Sequence, residues 1–232
     1  MDQISTLTFF KYGSFATKVW AFGMMQFAHK PLSKEKGLLH YKLMGSGKDG
    51  FDPFADWSVY ALLQVWENEE AANRFFDSSP LYQRYVAKTA QQWTLFLRSI
   101  KAKGTWAGVN PFVRSSAVDS NNPYIAVITR ATIKPKMLRT FWKSVPASQA
   151  PLKDNKGLVF TKGIGEVPFL QMATFSLWKD KEALMDFAYK SREHAEAISK
   201  TRSLDWYSEE LFSRFEPYRT KGTWDSVPQL PF

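Results

Sequence analysis

Alternating apolar and polar positions mark residues 5–11 (STLTFFK) as a strand, and apolar residues at helical spacing follow over residues 18–30 (KVWAFGMMQFAHK). A second strand is expected over residues 38–44, then a loop rich in Gly, Asp and Pro, then the strand SVYALLQVW at 58–66. The polar-led segment NEEAANRFFDSS predicts a helix with Asn68 as its N-cap, because a short side-chain oxygen there satisfies a free backbone N–H. A further helix from Pro80 to about Ala90 leads to the strand WTLFLRSIK at 93–101.

The same order then recurs. YIAVITRA, MLRTFWKSV, GLVFTKG, LQMATFSLW, DKEALMDFAYK, REHAEAISK and WYSEELFSRF fall in matching places between residues 124 and 215. The repeat is visible residue by residue: KGLLHYKLMGSG at 36–47 answers KGLVFTKGIGEV at 156–167, and KGTW at Lys103 returns at Lys221. VYALLQVWENEEAANRFF at 59–76 answers QMATFSLWKDKEALMDFA at 171–188. The polar, aperiodic segment 115–123 reads as a linker between units at 1–114 and 123–232. A β-α-β-β-α-β order used twice predicts an α+β protein of tandem ferredoxin-like repeats. Each unit leaves one sheet face uncovered, so the two are expected to pack sheet to sheet as an intrachain dimeric α+β barrel.

Composition narrows the chemistry. The absence of cysteine excludes disulfides, thiolate catalysis, iron–sulfur clusters and a thiolate-ligated haem. The net charge of +9 is spread over both halves, with no run of five like charges and no zinc-finger spacing, so nucleic acid is not expected as a partner. With no signal-peptide pattern and no long apolar run, the chain reads as cytoplasmic, its basic surface suited to peripheral contact with anionic lipid. An aromatic fraction of 16%, with 9 Trp and 19 Phe, fits either tight packing or a pocket for a flat apolar ligand.

Three histidines are available. His29 ends a helix and His40 sits in a strand, both ordinary places. His194 falls on the apolar stripe of a helix with Ala197 and Ile198, with small neighbours Ala195 and Ala197 leaving room around the ring. It reads either as a core histidine or as a ligand, and its counterpart at constant offset is Tyr82, so any such site belongs to the second half alone. The glycine-rich GSGKDG at Gly45 and GIGEVP at Gly163 lack phosphate-loop spacing and are expected to shape turns. Paired carboxylates such as Glu209 and Glu210 are expected to be solvated.

FFKYGSF, WAFGMM at 20–25, KLMGSGKDGFDP at 42–53, KGTWAGVNPF at Lys103, KGIGEVPFLQMATFSLW at Lys162 and REHAEAI around His194 together resemble the spheroidene monooxygenase family over nearly the whole chain. The resemblance implies a haem b protein that uses dioxygen and electrons from a ferredoxin-like donor to oxidise a carotenoid end group. It implies His194 as the iron ligand and a barrel fold shared with other haem enzymes. Candidate helpers near bound oxygen are the polar strand residues Arg130, Lys162 and Thr174. The alternatives are another haem reaction on the same scaffold (aldoxime dehydration or peroxide-driven oxidation), a non-catalytic haem or carotenoid carrier, and a barrel-shaped binding module without cofactor. Oligomeric state is not legible.

Overall fold

The structure is a computed structural model, described over residues 2–48, 52, 54–149, 152, 155–190 and 205–232. The first half runs β1 (Ile4–Lys11), α1 (Phe15–Phe27), α2 (His29–Leu32), β2 (Leu38–Gly47), β3 (Ala55–Trp66), α3 (Glu69–Ser78), α4 (Pro80–Val86) and β4 (Gln91–Gly104). The second half runs β5 (Ile125–Ile133), α5 (Leu138–Gln149) after a 3-10 turn, β6 (Leu158–Val167), β7 (Gln171–Trp178), α6 (Lys181–Met185) continuing into a π turn (Asp186–Lys190), and β8 (Tyr207–Gly222).

Eight antiparallel strands close into one barrel in the order β1-β3-β2-β6-β7-β5-β8-β4. Within each half the spatial order is fourth, first, third, second, the ferredoxin-like arrangement, and the halves meet at β2–β6 and β4–β8. The fold expected from the repeat is therefore the one observed. Local differences have simple causes. The helix expected over 18–30 starts earlier, at Phe15, where the Ser14 side chain accepts from the Thr17 N–H. It breaks at Ala28 because Pro31 has no N–H to continue the ladder.

Gly45 to Gly47 and Gly163 to Val167, expected to shape turns, are strand. Gly45 pairs with Gly165 and Ser46 with Ile164, forming the seam between β2 and β6. This seam has two register pairs, against eleven at β4–β8. Two ion pairs cross-link it: Lys42 with Glu166 at 2.9 Å and Lys162 with Asp56 at 3.2 Å. Side chains thus supply what the short ladder does not.

Inward-facing residues of all eight strands fill the barrel: Phe9, Trp93, Phe160 and Phe175 pack with Leu7, Leu63, Ile128 and Phe215. The repeated KGTW segments complete this core. Gly104 and Gly222 both have positive φ, and a Cβ on either would lie 2.1 or 2.3 Å from a carbonyl oxygen of the opposite strand. Only glycine permits that approach, and it turns the following tryptophans, Trp106 and Trp224, into the barrel cluster. Because β4 and β8 are antiparallel, the two indoles enter from opposite ends. The aromatic excess inside the barrel is packing, and the interior is filled.

Candidate active site

The outer faces of the two sheets differ. In the first half, β1 to β4 and helices α1 to α4 share one continuous apolar cluster that includes Phe10, Leu43, Leu62, Phe75, Tyr82 and Phe96. Among the described residues of the second half the outer face carries two separate clusters. One lies under α5 (Ile133, Phe141, Val145, Met172, Trp206), the other under α6 (Ile125, Val127, Trp178, Leu184).

Strand register explains the division. Thr8, Leu62 and Leu43 lie side by side across the first sheet, and Thr129, Thr174 and Gly163 occupy the same three places in the second. Leu62 and Leu43 are thus answered by Thr174 and Gly163, and Phe10 (opposite Tyr60) by Ala131 (opposite Met172). Three large apolar side chains have become Thr, Gly and Ala. Thr129 is exposed and Thr174 half-buried, so the strip between α5 and α6 is open among the described residues.

One cation borders this strip. Arg214 sits on β8 beside Val127, at the position that Phe96 fills in the first half. Its guanidinium lies 5.3 Å from the Phe212 ring centroid. Its Nε is buried without a hydrogen-bond partner, and it has no acidic partner among the described residues. Arg214 is half-buried, and a guanidinium with one N–H withdrawn from water and unpaired gains from an anion at its edge. The face therefore fits a flat apolar group with a negatively charged edge: small residues supply the space, hydroxyls the polar contacts and Arg214 the countercharge.

The residues singled out from sequence do not share one site. Thr174 lies on the open outer strip. Arg130 lies two residues from Ile128, and Lys162 two from Phe160 and Ile164, which places both on the barrel side of their strands. Arg130 is 2% exposed, pairs with Glu209 and lies 5.7 Å from the Trp106 ring. Lys162 serves the β2–β6 seam. His194 lies outside the described residues, in the stretch between the π turn and β8. Its offset counterpart Tyr82 is buried in α4, donates to Gln92 Oε1 at 3.0 Å, and has its hydroxyl pKa pushed up by that burial. His29 is exposed, its Nδ1 3.1 Å from the Tyr41 hydroxyl, and His40 is exposed on β2.

Two residues that matter were passed over in the sequence. Glu209, expected to be solvated, accepts from the Thr105 hydroxyl and the Ala107 and Gly108 N–H groups while pairing with Arg130. Arg214 was not singled out, although strand alternation in LFSRF separates it from the core residues Leu211 and Phe215.

Curated relatives align along this whole architecture. The chain is 33% identical to a spheroidene monooxygenase of Rhodobacter capsulatus over 223 residues, covering 95% of this chain and 92% of the relative. It is 36% identical to that of Cereibacter sphaeroides over 225 residues, covering 96% and 69%. The chain belongs to the spheroidene monooxygenase family. A further member, from Rubrivivax gelatinosus, is 34% identical over 90% of this chain and 80% of its own. No protein-family model matches the chain. Among solved structures, an aldoxime dehydratase in complex with butyraldoxime superimposes with a TM-score of 0.64 at 10% identity, over 93% of this chain and 79% of that one. A second aldoxime dehydratase structure gives 0.64 at 11% identity over 93% and 81%. At such identities the likeness is one of fold. As a member of a monooxygenase family, the protein is an oxidoreductase.

Proposed function

We propose that this spheroidene monooxygenase family member is a haem b-dependent enzyme that oxidises the end group of an acyclic carotenoid with dioxygen, taking electrons from a ferredoxin-like donor. The observation that carries this reading is the open strip on the second sheet. There the large residues of the first half are replaced by Gly163, Thr174 and Ala131, beside the unpaired Arg214. A porphyrin is a flat apolar ring with a carboxylate edge, which is the shape and charge this face accommodates.

In this reading His194 would hold the iron through an imidazole nitrogen and Arg214 would pair with the carboxylate edge. When bound, the haem would supply the activation of dioxygen. The chain would supply the rest. Thr174 offers the Oγ1 hydroxyl as a hydrogen-bond donor on the strip, and the α5 and α6 clusters flank it with apolar surface suited to a polyene that has few polar handles.

Reconstitution with haemin tests this. The wild-type protein should develop a Soret band that saturates at one haem per chain. Gly163→Leu/Thr174→Leu, which restores the first-half residues, should weaken uptake at least about tenfold with an unchanged melting curve, and His194→Ala should do the same. Equal Soret titrations in all three proteins would remove the site. Turnover of a carotenoid with dioxygen and reduced ferredoxin, compared with peroxide alone, then assigns the oxidant.

A further inference from the structure

The solvent side of α1 is apolar where a surface helix is ordinarily polar. Ala21 and Met24 face the core, yet Phe15 is 82% exposed, Phe22 56%, and Val19 lies exposed between them at helical spacing. Trp57, 54% exposed at the start of β3, lies tilted against Phe22 at 5.1 Å. A second aromatic group begins just before Trp57 in the chain. Phe54 meets Phe169 at 6.4 Å, and Phe169 meets Trp142 of α5 at 6.0 Å.

Phe169 adds an independent sign. It has φ 65° in the β6–β7 turn, a left-handed conformation that a bulky side chain adopts only at a cost. The Trp142 Nε1–H donates to its carbonyl at 3.2 Å, fixing the turn that holds the ring outward. Lysines surround α1: Lys18, Lys30 and Lys34 fall within or just beyond α1 and α2, and no acidic residue occurs between Asp2 and Glu35.

We propose that this band is the surface by which the protein rests on an anionic lipid bilayer, with α1 lying in the interface and Phe54, Trp57 and Phe169 inserted beside it. Exposed aromatics beside the lysines of α1 and α2 match the headgroup boundary, where rings sit among acyl chains and ammonium groups meet lipid phosphates. The nearby carboxylates are engaged: Asp52 accepts from the Phe54 N–H, and Asp56 accepts from the Ser58 N–H and pairs with Lys162. The band ends at α5, the helix that borders the open strip of the second sheet, so a polyene leaving the bilayer would meet that strip without crossing water. The inference rests on the carotenoid reading for its substrate, but its test does not.

Flotation with vesicles of 30% phosphatidylglycerol in phosphatidylcholine measures the docking directly. Wild-type protein should float, bind several-fold less to pure phosphatidylcholine, and bind less at high salt. Phe15→Ser/Phe22→Ser should bind anionic vesicles at least about tenfold less while keeping the wild-type melting temperature, since both rings are already in solvent. Trp57→Ser provides a second variant off the helix with the same expectation. Wild-type protein that stays with the unbound fraction, or variants that float equally well, would overturn the proposal. So would sedimentation showing that the same substitutions convert a dimer to a monomer, because the band would then be an interface between copies. Loss of vesicle binding in the variants with no carotenoid oxidation by any form would uphold the docking surface and remove the carotenoid reading instead.

Discussion

Glu209 joins the two halves through a single carboxylate. Partial burial alone would raise its pKa, but the Gly108 N–H, the Thr105 hydroxyl, the Arg130 guanidinium and the Ala107 N–H outweigh that and hold it at about 2, against an ordinary 4.5. The folded value lies below the unfolded one, so the stabilisation is complete above pH 4.5 and is lost as pH falls from there toward 2. Glu209→Gln should therefore cost about 3 kcal/mol at pH 7, because it strands a buried guanidinium, and should flatten the acid dependence between those limits. Urea titrations of both proteins at several pH values measure this, and an identical pH slope would contradict the assignment. In the sequence this pair was illegible: Arg130 and Glu209 are 79 residues apart, and nothing local announces a partner at that distance. The legible part was parity, since Glu209 falls on the same face of the strand as Leu211 and Phe215, both core residues.

The elements repeat down to their caps. Asn68 accepts from the Ala71 N–H at the start of α3, and Asp180 accepts from the Ala183 N–H at the start of α6. In each half a glycine ahead of the hairpin packs on that alanine: a Cβ on Gly37 would lie 2.6 Å from Ala71 Cβ, and one on Gly157 2.2 Å from Ala183 Cβ. Gly157→Ala should destabilise by about 1–3 kcal/mol through overpacking. Ala183→Gly in the same chain should recover most of the loss, and a double variant no better than the single would disprove the contact. This duplicated frame was readable because each matched segment keeps one offset along its length and the periodicities are plain. The open strip was not. The repeat pairs Leu43 with Gly163 and Leu62 with Thr174, but only strand register shows that the two positions lie side by side. The glycine-rich segments misled for a related reason: locally they look like turns, and only the far strand shows them to be a seam.

For the whole molecule, the central barrel core draws on strands of both halves, so neither half keeps it alone. Urea unfolding should therefore be a single transition, with far-UV circular dichroism and tryptophan fluorescence coinciding, and two resolved transitions would contradict a shared core. Among the described residues no helix is long and apolar enough to cross a membrane. Closure of the ring has one more consequence. Among the described residues every strand has a neighbour on both sides, and the one short ladder, at β2–β6, is guarded by the ion pairs Lys42–Glu166 and Lys162–Asp56. A protein with 16% aromatic residues and a greasy outer band would otherwise be a strong candidate for growth into fibrils, and here ring closure and the charges at its seam both work against that route. Crowding at a lipid surface would then bring copies together through helices and loops, reversibly, and leave each barrel intact.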